Sequence, residues 1–293
     1  MFKFDTVFSK PLIILLVLLP IIGFSGCKNF HKKPHEKIPR FEKQVSREEI
    51  LSQKHTPVYT YEIVRTYPHD VSSYTEGLLM DDGFLYEATG LYGKSKVMKI
   101  DIDSGKALRT IKMKPIYFGE GITIKGDDLY HLSYKSNIGF VYNKHTFELK
   151  RTFHYPYQGW GMTTDGSHLI MSAGSSVLLF LDPETLKRKK YLIVKDIESE
   201  VGFLNELEYI NGRVFANIWQ TNLIAIISPE DGRVKAWIDL TGINPDPQKL
   251  KYPYVLNGIA HLETEDLILI AGKCWPEIYG IRLVPLKNVK GSF

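Results

Sequence analysis

The chain of 293 residues has two cysteines, Cys27 and Cys274. With Cys27 at the end of an N-terminal leader, Cys274 stands alone in the folded part, which excludes an internal disulfide framework. A lone cysteine in an apolar run reads as packing before it reads as a nucleophile. Positive charge is not concentrated either: 37 Lys and Arg stand against 33 Asp and Glu, a formal net charge of +4. Eight of those basic residues, against four Glu, fall within 28–57, so the body of the chain is near neutral. Nucleic-acid binding, which needs a basic face, is therefore not expected. The nine His are scattered, and His31, His35 and His55 precede the folded part. No His, Cys or Asp cluster has ligand spacing, so no metal and no other cofactor is expected. Past residue 57 no ten-residue stretch carries an amphipathic helical pattern, which argues against helical and α/β folds.

Long apolar runs are also missing. Pro11 to Phe24, preceded by Lys3 and Lys10, is too short to span a bilayer comfortably and reads as a targeting segment. It ends in Phe24-Ser25-Gly26-Cys27, which resembles the lipobox of bacterial lipoproteins, with Phe24 where Leu, Val or Ile is usual. The resemblance implies cleavage before Cys27 and a lipid on its thiol. An ordinary secretory signal and an uncleaved anchor are the alternatives, and each puts the folded part outside the cytoplasm. The expectation is an exported protein of the bacterial cell envelope, lipid-anchored on a periplasmic or outer-membrane face. Residues 28–57 carry Pro34, Pro39, Pro57 and many charges. They read as a flexible tether with one short helical turn near Ser46–Leu51. The folded domain is expected over 58–293.

What the domain has in quantity is short strand-like runs, turn signals and aromatic residues, with 17 Tyr and 15 Phe for a sizeable core. Asp81-Asp82-Gly83, Ser104-Gly105, Asp165-Gly166, Asn211-Gly212 and Asp231-Gly232 fall between apolar stretches, where hairpins need them. A motif recurs. Glu76-Gly77-Leu78, Glu120-Gly121-Ile122, Trp160-Gly161-Met162, Glu206-Leu207-Glu208 and Asn257-Gly258-Ile259 are spaced by 44, 40, 46 and 51 residues. Each opens a run of three or four strands, the pattern of a propeller blade. Five repeats predict an all-β, five-bladed β-propeller. The fifth repeat lacks a fourth strand, and Tyr59–Tyr67, ahead of the first repeat, is expected to supply it and close the ring.

The first strand of a blade lines the central channel, so residues opening each repeat converge. Tyr74, Glu76, Glu120, Trp160, Asn205, Glu206 and Asn257 are thereby expected around one cavity. Trp219 and Lys273, ending second strands, are expected at the same mouth. Glu120 stands out as a lone acid between glycines with aromatics before it, and those glycines are expected to leave space for a substrate at the axis.

At these residues the chain is similar to the glutamine cyclotransferases of the plant and bacterial type, also called glutaminyl-peptide cyclotransferases. The resemblance runs from Val58 to Leu283. It includes Tyr-Thr-Glu-Gly-Leu at 74–78, Ala-Thr-Gly-Leu-Tyr-Gly-Lys-Ser at 88–95, Phe-Gly-Glu-Gly-Ile-Thr at 118–123 and Gly-Trp-Gly-Met at 159–162. It continues in Leu-Asn-Glu-Leu-Glu-Tyr at 204–209, Ala-Asn-Ile-Trp-Gln-Thr at 216–221, Val-Leu-Asn-Gly-Ile-Ala at 255–260 and Gly-Lys-Cys-Trp-Pro at 272–276. That family consists of five-bladed propellers that convert an N-terminal glutaminyl residue to pyroglutamyl and release ammonia. The resemblance implies that Glu120 is the catalytic carboxylate. It implies site roles for Trp160, Asn205, Trp219 and Lys273, with Tyr74 and Glu76 building the pocket. Tyr134 stands where the family carries Trp, and Tyr74 where Phe is more usual.

The residue types suit that chemistry. The α-amine attacks its own side-chain amide, so holding the side chain folded back removes much of the entropic barrier. One carboxylate can take the amine proton and later deliver it to departing ammonia. Burial among aromatics raises a Glu pKa toward neutrality. Asn205, Lys273 and the indoles of Trp160 and Trp219 are candidate oxyanion donors. Substrate contacts are expected from Tyr74, Glu76, Tyr134, Trp160, Trp219 and Asn257, and catalytic roles for Glu120, Asn205 and Lys273. The expected partners are peptides or proteins with N-terminal Gln, and the membrane through the lipid; a monomer is expected. Two alternatives share the fold: a non-catalytic propeller binding a ligand in the same cavity, and a calcium-centred propeller hydrolase, for which channel Asp residues are few.

Overall fold

The computed structural model describes residues 44–53, 55–197, 199–246 and 253–286. The leader, Cys27 and the lipidation expected there lie outside the described residues. A long strand, β1 (Val58–Pro68), comes first. One meander follows, of β2 (Thr75–Asp81), β3 (Phe84–Thr89), β4 (Lys96–Asp101) and β5 (Lys106–Lys112). The second is β6 (Gly119–Lys125), β7 (Asp128–Ser133), β8 (Ile138–Asn143) and β9 (Leu149–His154). The third is β10 (Met162–Thr164), β11 (Leu169–Met171), β12 (Val177–Leu181) and β13 (Arg188–Ile193), after which β14 (Lys195–Asp196) and β15 (Ser199–Glu200) form a small ribbon. The fourth is β16 (Leu204–Ile210), β17 (Arg213–Ile218), β18 (Leu223–Ile227) and β19 (Val234–Asp239); the last group is β20 (Leu256–Leu262), β21 (Leu267–Gly272) and β22 (Glu277–Pro285).

Turn chemistry explains the meanders. Asp82-Gly83 and Asn211-Gly212 have φ of 50° and 78°, and of 47° and 79°. Both central residues are left-handed, the type I′ turn whose twist matches a hairpin. The turn from third to fourth strand repeats four times. Its fifth residue donates its N–H to the carbonyl of the first: Gly105 to Asp101, Phe147 to Asn143, Leu186 to Asp182 and Gly232 to Ser228.

The first three meanders are separate four-stranded sheets, and the remaining strands form one sheet in the order β16-β17-β18-β19-β1-β22-β21-β20. β1 runs antiparallel along β22, from Tyr59 opposite Pro285 to Pro68 opposite Glu277. It thus serves as fourth strand of the last group, in the place expected for Tyr59–Tyr67. A short parallel stitch, Val58 with Trp237 and Tyr59 with Ile238, ties it to β19. The first strands β2, β6, β10, β16 and β20 each touch the next, and β20 returns to β2. The fold is all-β, propeller-like and closed at its centre.

Close approach at that centre has a backbone cause. A Cβ on Gly77 would lie 2.7 Å from Ile122 N, one on Gly121 2.5 Å from Met162 N and 2.6 Å from Trp160 O, and one on Gly161 would meet Asn205 O. Each glycine lets its strand press on the next strand's main chain. This corrects the expectation that the glycines around Glu120 make room for substrate: Gly121 makes room for the neighbouring strand, and Gly119 for Thr89 O and His131 Nε2.

The described end of the expected tether carries the short helix expected near Ser46–Leu51, but it is packed on the domain and not free of it. Helix α1 (Arg47–Ser52) is capped reciprocally by Ser46 and Glu49, a capping box. It buries Ile50 completely in a cluster with Val58 and Trp237. Arg47 Nε reaches Asp239 Oδ2 at 2.6 Å, and Gln44 donates to the Trp219 carbonyl. From Gln44 onward the chain packs on the fourth group; Val45 and Ile50 are the apolar residues that make it do so.

Candidate active site

Four of the five first strands skip register at the same place: between Thr75 and Gly77, Gly119 and Ile122, Leu204 and Leu207, and Leu256 and Ile259. The residues inside the skips are Glu76, Glu120 with Gly121, Asn205 with Glu206, and Asn257 with Gly258. A bulge frees a residue from the ladder and re-aims its side chain. In the third group Trp160 and Gly161 precede β10 but still pair with Ser172, through Trp160 N to Ser172 O at 3.2 Å and Ser172 N to Gly161 O at 3.0 Å. Second strands deliver the rest, Tyr134 just after β7, Trp219 just after β17 and Lys273 just after β21.

Together these enclose a cavity of about 190 Å3 lined by Tyr74, Glu76, Phe118, Glu120, Tyr134, Trp160, Asn205, Trp219 and Lys273. The aromatic wall is continuous: ring centroids are 6.2 Å apart for Tyr74 and Phe118, 5.8 Å for Phe118 and Tyr134, 6.4 Å for Tyr134 and Trp160, and 5.5 Å for Trp160 and Trp219. A larger cavity, about 810 Å3, opens elsewhere along Tyr59, Ile210, Phe215, Ile226 and Ile281. Its floor is a seam between the fourth and last groups. The smaller one is where carboxyls and donors converge, and chemistry rather than size selects it.

The polar groups are wired in one direction. Lys273 Nζ donates to Glu76 Oε1 at 2.6 Å, and lies 4.3 Å from the Tyr74 ring centre. Asn257 Nδ2 donates to Glu76 Oε2 at 3.1 Å and to Thr75 O at 2.9 Å, while its Oδ1 accepts from Asn205 Nδ2 at 3.0 Å. Glu206 accepts from Leu78 N at 3.1 Å and Ile259 N at 2.8 Å, stitching β16 to β2 and β20. Burial pushes its carboxyl well above the usual range.

Glu120 is different. It is 6% exposed, and its carboxyl accepts no hydrogen bond from the described residues. Burial pushes its pKa well above the ordinary carboxylate range, Glu76 pushes the same way, and Lys273 opposes. Glu76 is raised by burial too, against the pull of Lys273 and Asn257. Glu76 is held by Lys273 and Asn257, whereas the Glu120 carboxyl has no such partner among the described residues.

Of the residues expected around the cavity, all line it except Glu206, which is buried and committed to the main chain of Leu78 and Ile259, and Asn257. Asn257 is fully buried behind the wall, its amide committed to Glu76, Thr75 and Asn205, so it positions the wall and does not face the cavity. The Trp160 indole N–H, expected as a donor toward the cavity, instead donates to Gln158 Oε1 at 3.2 Å. Phe118 was not expected among the lining residues. Its signal was its place two residues before Glu120, matching Tyr74 before Glu76. Ser172 was also missed. It accepts from Gly161 N and donates to Asn205 O, both at 2.7 Å, linking two site residues.

A small aromatic box with a buried carboxyl that accepts no hydrogen bond, set beside amide and ammonium donors, has the groups that acid–base chemistry needs. Residues 40–283 match the family model of glutamine cyclotransferase. A curated Arabidopsis thaliana protein, glutaminyl-peptide cyclotransferase, is 41% identical over 236 residues, which cover 79% of this chain and 74% of that one. The crystal structure of Myxococcus xanthus glutaminyl cyclase superposes with a TM-score of 0.74 at 28% identity, covering 79% of this chain and all of that one. The chain belongs to the glutamine cyclotransferase family and is an enzyme of that class.

Proposed function

We propose that the protein converts N-terminal glutamine of peptides or proteins to pyroglutamate, with release of ammonia, through Glu120 as the proton carrier. The observation that carries this reading is the hydrogen-bond-free Glu120 carboxyl in a one-residue cavity beside Lys273 and Asn205. An ordinary Glu near 4.3 faces an α-ammonium near 7.7–8.0, a gap of about 3.5 units or about 5 kcal/mol uphill. Raising the carboxyl narrows that gap, so the proton can move from the amine to Glu120 at little cost. The amine nitrogen then bonds to the side-chain amide carbon, and the oxyanion is met by Lys273, Asn205 and Trp219. As the carbon–nitrogen bond to the amide breaks, Glu120 gives its proton to the leaving nitrogen, which departs as ammonia. The carboxylate so freed takes the surplus proton from the ring nitrogen, leaving the neutral lactam; that proton then passes to ammonia, which leaves the site as ammonium. The aromatic wall excludes water and holds the aliphatic stem.

The step requires no metal, because every proton and charge in it is handled by a side chain. The five strand groups are read as five propeller blades; the ring of first strands and the β1–β22 pairing support this. The chain is further read as a monomer anchored by lipid at Cys27 in the bacterial cell envelope. The test is incubation of the purified mature chain with a Gln-initiated peptide, with and without chelator, following ammonia and the mass of the peptide. Stoichiometric ammonia and pyroglutamyl product, unchanged by chelator, are expected. No ammonia would favour a binding module, and ammonia lost on chelation would contradict the metal-independent step.

A further inference from the structure

The motif at 88–95 supplies no lining residue of the cavity, but Gly90 packs against Phe118 and Glu76 from behind and donates its N–H to Tyr74 O at 2.8 Å, and the loop beyond it is fastened more firmly than a surface turn requires. Leu91 has a φ of 80°, a left-handed conformation that costs an L-residue about 1–2 kcal/mol. Ser95 N and Ser95 Oγ both donate to Leu91 O, at 2.9 and 2.8 Å. Gly93 N donates to Pro115 O at 3.1 Å, and Ser95 Oγ accepts from Gly119 N at 2.9 Å. The loop is thereby locked to the residue just before Glu120. Backbone strain that is over-determined in this way accompanies positions where geometry matters.

The loop presents Tyr92, 56% exposed, with its ring edge-on to Phe118 at 5.5 Å. On the turn that receives the Gly93 hydrogen bond stands Ile116, 67% exposed. Phe118 lines the cavity, so Tyr92 continues the aromatic wall outward onto the surface. The cavity has room for one residue, and the peptide beyond the cyclising glutamine must leave over its rim. Successive residues of an extended chain advance by about 3.3 Å, so a chain that leaves over the Phe118 side of the rim passes its second side chain beside Tyr92.

We propose that Tyr92 and Ile116 form a subsite for an apolar side chain at the second position of the substrate. This rests on the cyclotransferase reading. The experiment compares kcat/KM for ammonia release from Gln-Phe, Gln-Leu, Gln-Gly and Gln-Glu dipeptide amides, using the mature wild-type chain and its Tyr92→Ser, Tyr92→Phe and Ile116→Ser variants. Wild type is expected to favour Gln-Phe over Gln-Gly by about tenfold, the size of one aromatic contact. Tyr92→Ser should remove most of that preference through KM and leave Gln-Gly unchanged. Tyr92→Phe should keep the preference, and Ile116→Ser should reduce it for Gln-Leu. Equal turnover of all four peptides by wild type, or an equal loss on all four in Tyr92→Ser, would overturn the subsite and leave the cyclotransferase reading standing. No ammonia from any peptide with wild type would remove the cyclotransferase reading and the subsite with it.

Discussion

Replacing His131 with leucine gives a stability effect whose pH dependence follows from the structure. His131 lies on β7, opposite Ile122 of the neighbouring Glu120 strand, fully buried, with no hydrogen-bond partner for either ring nitrogen. Burial alone pushes its pKa down from 6.5 to about 3. In the unfolded chain it titrates near 6.5. As pH falls below that value the unfolded state takes up a proton that the folded state refuses, so wild-type stability falls toward acid. Between pH 7.5 and pH 5 the loss is about 2 kcal/mol, from about 1.5 units below 6.5 at about 1.4 kcal/mol each. For a domain of this size that is a fall of about 4–8 °C in Tm. Urea unfolding of wild type and His131→Leu at pH 7.5, 6.5, 5.5 and 5 isolates the term. Any packing offset between the two proteins is constant with pH, whereas the histidine contribution is not. The variant should gain about 2 kcal/mol on wild type across that range. A difference that stays flat from pH 7.5 to pH 5 would refute the reasoning.

The other expectations concern the wiring of the cavity. Lys273→Met leaves Glu76 buried without its ion pair and should cost about 3–5 kcal/mol at neutral pH. Glu76 then takes up a proton more readily, so the loss should fade as pH falls, and Glu76→Gln/Lys273→Met should recover part of it in urea melts; strict additivity would refute the pair. Gly121→Ala drives a Cβ into Trp160 O and Met162 N, so about 1–3 kcal/mol of stability and a raised KM are expected, checked by Tm and steady-state kinetics. Glu120→Gln should stabilise the protein at pH 8, because a carboxyl whose folded pKa is raised loses stability as pH rises above about 4.3. The gain, about 1.4 kcal/mol for each unit of elevation, should disappear near pH 4 in the same melts.

The features read correctly from sequence are those written in local chemistry. Asp82-Gly83 and Asn211-Gly212 announce their turns because left-handed pairs need such residues. The recurring first-strand motif announces the repeat, and the missing fourth strand announces the role of β1. What escaped depends on partners distant in the chain. The third-to-fourth turn recurs four times, but Phe147 and Leu186 occupy the left-handed position that Gly105 and Gly232 fill elsewhere, and so conceal it. The bulges exist only relative to neighbouring strands, so Glu76, Glu120 and Asn205 were placed by repetition without the geometry that turns them inward. The glycines beside Glu120 were assigned to substrate because what they admit lies elsewhere in the chain: for Gly121 the backbone at Trp160 and Met162, about forty residues on, and for Gly119 the Thr89 carbonyl and the His131 ring. Phe118 and Ser172 line or brace the cavity through contacts of the same kind. Asn257 has the right residue type for substrate contact, yet its amide is already committed on every side.

The most direct test of Glu120 as proton carrier is ammonia release from a Gln-initiated peptide by Glu120→Gln, with folding verified by the melts above. Glutamine keeps the shape of the side chain but cannot hold the proton. A loss of about 10²–10⁴-fold in kcat is expected, with KM nearly unchanged because the aromatic wall is intact. A folded Glu120→Gln protein that retains wild-type kcat would contradict the mechanism.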